Sequence, residues 1–177
     1  MRYFPFIYLA VSAFLLSSCV DNPNFSDKPH IEFEKFSRTI VDQNDSFKVF
    51  LHVEDGDGDL GLENSLGMDC DPCDLVTPNS CINDPSWDLF LIDDRTGCMA
   101  QKKLPFVKPL GNFESVEGTI RVSINQGQYC CRDKQNPQLF CPTTSPTDTI
   151  NFWIFIKDRS GKHSDTVYLP PLILTCN

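Results

Sequence analysis

Positive charge is missing from a long central part of the chain, since residues 49–94, between Lys48 and Arg95, contain neither lysine nor arginine. The same interval holds half of the chain's 24 acidic residues, and the whole chain has a formal net charge of −9. This balance argues against nucleic acid or anionic lipid as a partner held by charge. Acids at this density also repel one another and weaken a compact fold unless they stay solvated or meet a cation.

Motifs of known catalytic sites are absent as well. The sequence has no G-x-S-x-G elbow, no phosphate-cradling glycine loop and no H-E-x-x-H helix. Its three histidines, His30, His52 and His163, are scattered along the chain. We therefore expect a protein that is not an enzyme. The alternative is a hydrolase that uses carboxylates of residues 55–94, because paired acids suffice for glycoside cleavage.

No apolar run is long enough to cross a membrane. The longest, residues 3–16, follows Arg2 and falls short of the ~20 residues that a spanning helix needs. It ends in Leu16-Ser17-Ser18-Cys19, as a secretory signal does. These residues resemble the lipobox of bacterial lipoproteins, whose cysteine is lipidated and becomes the mature first residue. The resemblance implies a signal peptide over residues 1–18 and an exported protein held to a membrane of the cell envelope by a lipid on Cys19. We expect the outer membrane rather than the inner. An ordinary signal peptide, with Cys19 in a disulfide, is the alternative.

Two parts follow the signal. Residues 19–28 are polar, contain Asn22-Pro23-Asn24 and are predicted to be a short tether. From Cys19 this tether reaches only about 30 Å when fully extended, so it keeps the domain near its membrane. Residues 29–177 have a length that suits a single domain with its own core.

The number of cysteines predicts that the folded protein lies in an oxidising compartment. Behind the export signal, the cysteines other than Cys19 predict up to four disulfides of unknown connectivity; they are Cys70, Cys73, Cys81, Cys98, Cys130, Cys131, Cys141 and Cys176. Cys70 and Cys73 also have the spacing of zinc ligands, but a second pair with suitable geometry is missing.

Alternating and apolar runs predict an all-β protein, because no segment has the apolar stripe of a helix. The predicted strands are His30–Phe36, Ser46–Glu54, Trp87–Ile92, Val116–Ile124, Thr149–Lys157 and Ser164–Leu174. Thr149–Lys157 is apolar on both faces and is predicted to be a central strand covered on both sides. Pro170 and Pro171 confine the last strand to an edge or a bulge. We expect an antiparallel β-sandwich of about seven strands, with long disulfide-braced loops over residues 55–86 and 125–148.

The last two predicted strands carry a second resemblance. The run Phe152-Trp153-Ile154-Phe155-Ile156, the turn at residues 158–161 and the run Ser164-Asp165-Thr166-Val167 resemble the final hairpin of immunoglobulin-like and fibronectin III-like domains. The resemblance implies an Ig-like sandwich. In that strand order, the loop after the second strand and the last hairpin turn lie at the same end of the domain.

The run EDGDGDLGL, residues 54–62, is the main candidate site. Asp55, Asp57 and Asp59 alternate with small residues after a strand, and carboxylates on a flexible backbone are ligands for a hard cation. The run departs from the EF-hand, since position six is Leu60 and helices are not predicted. It resembles the aspartate-rich calcium loops at the ends of extracellular β-sandwich modules. We expect Ca²⁺ bound by this loop, with Glu63 and, through the shared end of the sandwich, Asp158. The alternatives are a solvated turn without metal and a site for another metal.

Two aromatic residues, Tyr129 and Phe140, flank the second cysteine-rich loop and are candidate ligand contacts, while Trp87 and Trp153 sit in strand patterns and are expected in the core. The partner is a protein or a glycan that the sequence leaves undefined. We expect a calcium-stabilised binding or assembly module. The alternative is a carbohydrate-binding or substrate-capturing lipoprotein of a nutrient-uptake system.

Overall fold

The computed structural model describes residues 24–42, 45–61, 88–104, 106–107, 114–125 and 147–175. These residues form ten strands: β1 (His30–Phe36), β2 (Ile40–Asp42), β3 (Ser46–Asp55), β4 (Leu89–Asp93), β5 (Met99–Lys102), β6 (Val116–Asn125), β7 (Thr147–Ile150), β8 (Phe152–Ile156), β9 (Val167–Tyr168) and β10 (Leu172–Thr175). Helices are absent from the described ranges. Within those ranges, accordingly, nothing forms a helix of the length and apolarity required to span a bilayer.

The strands pair into three sheets. The first has the order β1-β3-β6, the second β5-β4-β8-β9 and the third β2-β10-β7. Among these pairs only β10 and β2 run parallel, and the others are antiparallel. The predicted all-β, mainly antiparallel architecture is confirmed.

Strand β3 shows how the sequence pattern positions the candidate site. Phe47, Val49, Leu51 and Val53 are all buried, and the residues between them are only partly buried. Because successive side chains of a strand point to opposite faces, this alternation places every second residue in the core. Asp55 continues the inward series and is fully buried. The last inward position of a core strand therefore carries a carboxylate.

One hydrophobic cluster joins all three sheets. Its members include Phe47, Leu51 and Ile124 from the first sheet, Leu91, Phe152 and Ile154 from the second, and Ile150 and Leu172 from the third. Burying one such side chain completely contributes about 1.5–3 kcal/mol. This cluster anchors the C-terminal ends of β3 and β8, and the segments that build the candidate site start at these two ends.

Four of the predicted strands are confirmed, one over its full range and three to within about two residues. β1 has the predicted bounds, and β3, β4 and β6 correspond to the runs predicted at Ser46–Glu54, Trp87–Ile92 and Val116–Ile124. Two short strands, β2 and β5, were not predicted. β2 spans only three residues and pairs with β10, which lies more than a hundred positions further along the chain.

The prediction for Thr149–Lys157 was correct only in part: β8 is an inner strand of its sheet, between β4 and β9, but the run is not a single strand and is not covered on both sides. This run forms two strands, β7 and β8, which belong to different sheets and are separated by Asn151. β8 alternates buried Phe152, Ile154 and Ile156 with the exposed Trp153, so one of its faces meets solvent. An apolar run does not reveal which of its faces another layer covers. Trp153 is therefore not the core residue that the sequence predicted.

The predicted last strand is divided in the same way. β9 ends at Tyr168 and β10 begins at Leu172, with Pro170 and Pro171 between them. Proline has no amide hydrogen for a sheet ladder, so pairing stops here. The chain crosses from the second sheet to the third at this point, and the number of strands exceeds the predicted seven.

Candidate metal centre

The first wall of the candidate site is the loop at residues 55–61, called the acidic loop below. Asp59 donates its backbone N–H to Oδ2 of Asp55 at 2.9 Å, which closes the loop on itself. Gly58 has a φ of 60°, a left-handed conformation that glycine adopts without strain. Leu60 is fully buried and anchors the loop in the core. The first wall is thus fixed at both ends.

The second wall is the hairpin turn at residues 158–162, which begins after β8 and Lys157. Oδ1 of Asp158 accepts hydrogen bonds from the Ser160 hydroxyl at 2.9 Å and from the backbone N–H of Lys162 at 2.8 Å. Gly161, with a φ of 88°, completes the turn. Asp158 is only 3% exposed. The turn therefore holds one buried carboxylate in a fixed orientation.

The two walls meet. One ligand atom from each of Asp55, Asp57, Asp59 and Asp158 lies within 4.8 Å of those of the other three. The backbone N–H of Ser160 donates to Oδ2 of Asp59 at 3.0 Å, which links the walls directly. The structure thus brings Asp158 to the acidic loop, as the strand order of an Ig-like domain predicted.

Arg159 stabilises this junction through the backbone of the acidic loop. Its guanidinium donates to three carbonyl oxygens of that loop, those of Gly58, Leu60 and Gly61, at 3.1–3.4 Å. The guanidinium also lies 4.9 Å from the centroid of the Phe106 ring. Arg159 therefore holds the acidic loop closed through backbone carbonyls rather than through the carboxylates of that loop.

Each of the four carboxylates has one buried oxygen without a hydrogen-bond partner among the described residues. These atoms are Oδ1 of Asp55, Oδ1 of Asp57, Oδ1 of Asp59 and Oδ2 of Asp158. The second oxygen of each carboxylate accepts a hydrogen bond from the protein. Leaving a buried polar atom unpaired costs about 1–3 kcal/mol, and more when it is charged. Four such atoms in one place are the arrangement that a bound cation would satisfy.

Burial and mutual repulsion perturb the acids. Burial, followed by the charges of Asp57 and Asp59, raises the pKa of Asp55 to about 7. Burial and the charge of Asp158 also raise the pKa of Asp59. Burial also tends to raise the pKa of Asp57, but the hydrogen bond and the charge of Lys162 outweigh it and lower this pKa overall. The cluster therefore contains more negative charge than its protein neighbours compensate.

Lys162 provides part of that compensation. Its Nζ donates to Oδ2 of Asp57 at 2.7 Å, with both side chains partly exposed. The hydrogen bond to Asp57 raises the pKa of Lys162. Sequence reasoning missed this contact, since nothing in the spacing of residues 57 and 162 signals it. The contact between Lys162 and Asp57 follows only when the acidic loop and the hairpin turn lie at the same end of the domain.

All the ligand atoms of this centre are oxygens, which suits Ca²⁺ or Mg²⁺ rather than a metal that prefers nitrogen or sulfur. The four aspartates can hold a metal ion, and the geometry alone does not identify which metal.

Several predicted site residues lie outside the described residues, namely the ligand Glu63 and also Cys19, Tyr129 and Phe140. Of the eight cysteines predicted to pair, only Cys98 is described, and it is buried. The disulfides stay a prediction.

A second group lies on the outer face of the first sheet. Nε2 of His52 is 3.5 Å from an oxygen of Glu54 and 3.8 Å from one of Glu117. All three side chains are at least partly exposed, and that of Glu117 is the most exposed, at 52%. Exposed pairs of this kind contribute little to stability. We interpret the group as a solvated cluster of polar side chains on the neighbouring strands β3 and β6.

An exposed aromatic pair lies on the second sheet. Trp153 and Tyr168 are 39% and 45% exposed, and their ring centroids are 4.4 Å apart. The Trp153 Nε1–H donates to Oδ1 of Asp94 at 3.0 Å, and the Tyr168 hydroxyl donates to Oδ2 at 3.1 Å. Asp94 thereby fixes both rings from their polar ends. The sequence placed Trp153 in the core and so missed this surface.

The geometry of the acidic loop and the hairpin turn is thus defined by oxygen ligands, burial and charge. Comparison with known proteins adds no assignment, because no family model matches the chain and no curated protein is significantly similar to it. Function must therefore be argued from the site itself.

Proposed function

We propose that this chain is a lipid-anchored protein of the cell envelope whose β-domain is a non-enzymatic binding or assembly module stabilised by calcium. The observation that carries the proposal is the set of four aspartates with unpaired, buried oxygens at one end of the domain. A divalent cation would satisfy these oxygens and remove their repulsion. It would also join two segments that are about a hundred residues apart in the chain.

Calcium fits the site in ligand type and in size. Ca²⁺ takes oxygen ligands at about 2.3–2.6 Å, so opposite ligands are about 4.6–5.2 Å apart. The four aspartates have ligand atoms within 4.8 Å of one another. Mg²⁺ demands a tighter octahedron at about 2.0–2.1 Å and keeps several waters. A loop that relies on several carboxylates favours calcium.

We further propose an Ig-like sandwich braced by disulfides. In support, the β1-β3-β6 sheet and the β5-β4-β8-β9 sheet share one core. The parallel pairing of β2 with the last strand also suits an Ig-like order. The export signal and lipobox-like residues support attachment through Cys19 in an oxidising compartment, with the outer membrane favoured over the inner.

Thermal unfolding tests the calcium proposal. The processed protein, with its cysteines oxidised, is unfolded in EDTA and then in millimolar calcium or magnesium. Calcium at a hundred times its dissociation constant stabilises the folded state by about 2.7 kcal/mol, which is about 5–10 °C for a domain of this size. The rise should vanish in Asp57→Asn and persist in Asp45→Asn, which removes the same charge before the other end of β3. An unchanged midpoint in calcium would reduce the loop to a solvated turn.

A specific observation also favours carbohydrate capture as a second candidate function. Trp153 and Tyr168 form a fixed, exposed aromatic surface beside a carboxylate. Aromatic rings with a polar edge suit ligands that are apolar on one side and rich in hydroxyls on the other. Tryptophan fluorescence should change on titration with the glycan that is captured, and Trp153→Ala should abolish binding on a glycan array. A panel that gives no Trp153-dependent signal would eliminate this candidate.

A further inference from the structure

Residues 25–28, the end of the predicted tether, lie against both walls of the metal centre. Gly56, between two of the candidate ligands, donates its backbone N–H to the carbonyl of Ser26 at 2.8 Å. From the other wall, Lys162 donates its Nζ to the carbonyl of Asp27 at 3.1 Å. The side chain of Lys28 also pairs with Asp165, just beyond the hairpin turn. These contacts fix a segment that would otherwise behave as a free terminus.

Gly56 shows how closely this segment approaches. A Cβ built at this position would lie 2.4 Å from the carbonyl oxygen of Phe25 and 2.8 Å from the carbonyl carbon of Ser26. Contacts this short do not occur, and both neighbours are backbone atoms that side-chain rotation cannot move. Gly56 is not among the glycines with a positive φ, which are Gly58, Gly61, Gly97 and Gly161. Residue 56 is therefore restricted to glycine by the docked segment rather than by its own conformation.

Lys162 connects the docked segment to the charge of the metal centre. It contacts the Asp27 carbonyl and Oδ2 of Asp57 at the same time. Oδ1 of Asp57 is the oxygen without a partner. A cation on Oδ1 and the ammonium on Oδ2 can therefore be accommodated together.

We propose that cation binding at the four aspartates and docking of residues 25–28 are coupled, so that calcium controls how much of the tether is free. The inference rests on the proposed calcium site. Without a cation, repulsion among the carboxylates weakens the contact between the acidic loop, which holds Ser26, and the hairpin turn, which holds Asp27. With a cation the walls are drawn together and the docking surface is complete. Coupling of this kind is reciprocal, so docking must also strengthen cation binding.

The consequence concerns the distance between domain and membrane. With residues 25–28 docked, the chain between Cys19 and the docked segment is limited to positions 20–24, whose maximum extended length is roughly 17 Å. With the segment released, residues 20–28 reach roughly 30 Å. Calcium would therefore hold the domain close to its lipid anchor, and its removal would let the domain move outwards.

Chymotryptic cleavage after Phe25 measures docking, because a protease needs the segment to leave the domain surface. We expect cleavage of the processed protein to be about tenfold slower in calcium than in EDTA, relative to a peptide of residues 20–30 in the same buffers. Gly56→Ala should be cleaved rapidly in both and should bind calcium about fivefold more weakly or worse. Gly118→Ala is the matched control, since a Cβ there meets nothing within 4 Å. It should behave like the unmodified protein.

The outcomes separate this inference from the proposed function. If calcium raises the unfolding midpoint but leaves cleavage after Phe25 unchanged, the coupling is wrong and the calcium site stands. If Gly56→Ala keeps both calcium affinity and calcium-dependent protection, the coupling is also wrong. If calcium changes neither the midpoint nor cleavage, both proposals fail. The comparison of calcium with EDTA in the unmodified protein decides the matter even where the alanine variant folds poorly.

Discussion

Replacing Asp55 by asparagine is the change that most directly exposes the electrostatics of the centre. Asp55 is fully buried, and its pKa is raised from 3.8 to about 7. Asparagine has the same shape and keeps an oxygen to accept the hydrogen bond that Asp59 donates to Asp55. It carries no charge, so the substitution removes the burial cost and the repulsion without opening a cavity.

In EDTA the raised pKa has a definite sign for stability. Between about pH 4 and pH 7 the folded protein keeps the proton of Asp55 while the unfolded chain has lost it. The unfolded state then binds fewer protons, so stability falls as pH rises through this window. A change in pKa from 3.8 to about 7 corresponds to about 4 kcal/mol, reached above pH 7. At pH 5 the same group lowers the stability by only about 1–2 kcal/mol.

Urea unfolding at pH 5 and pH 8 in EDTA measures the effect. We expect Asp55→Asn to be more stable than the unmodified protein at pH 8, and this advantage to exceed that at pH 5 by about 2–3 kcal/mol. Calcium should stabilise the unmodified protein and not the variant, which narrows the difference at pH 8. Asp45→Asn, whose partner is Arg38 on the surface, should change stability by less than about 1 kcal/mol at either pH. If the variant is less stable than the unmodified protein in EDTA at pH 8, the Asp55 carboxylate does not destabilise the folded state.

Three further changes test the rest of the structure by urea unfolding. Leu51→Ala removes a fully buried side chain from β3 and should cost about 2–5 kcal/mol; a loss below 1 kcal/mol would contradict its place in the core. Arg95→Leu leaves the buried Asp93 without its ion-pair partner and should cost about 3–5 kcal/mol, so a neutral result would mean that Asp93 is solvated. Arg159→Lys replaces a planar donor by a point charge that cannot reach three loop carbonyls, and should cost about 1–2 kcal/mol. Equal stability of this last variant would show that the acidic loop closes without the guanidinium.

Much of the first sheet was predictable because its signal is local. Strand β3 alternates apolar and polar residues over its length, and only one of its faces is in the core. β2 and β5 have three and four residues and carry too little pattern to be recognised. The exposure of Trp153 could not be predicted either, since it depends on which sheet face remains uncovered. Such information lies in the tertiary arrangement and not in the run of residues.

The meeting of the four aspartates was predictable from the sequence, but the contacts that hold them in place were not. The spacing of Asp55, Asp57 and Asp59 indicates converging carboxylates, and strand order alone brought Asp158 to them. The contacts of Lys162 and the docking of residues 25–28 depend on the exact path of a turn and of the segment before β1. The backbone path of such segments is determined by tertiary packing, and the local sequence does not encode it.

Calcium titration by calorimetry is the most informative single measurement, because it shows whether two distant segments of the chain build one calcium site. We expect one calcium bound per chain, with binding lost in Asp158→Asn and kept in Asp45→Asn. Asp158 is the decisive residue, since it lies about a hundred positions after the acidic loop and only the fold brings it there. Calcium binding that survives Asp158→Asn unchanged, or no binding at millimolar calcium, would show that the four aspartates do not form one calcium site.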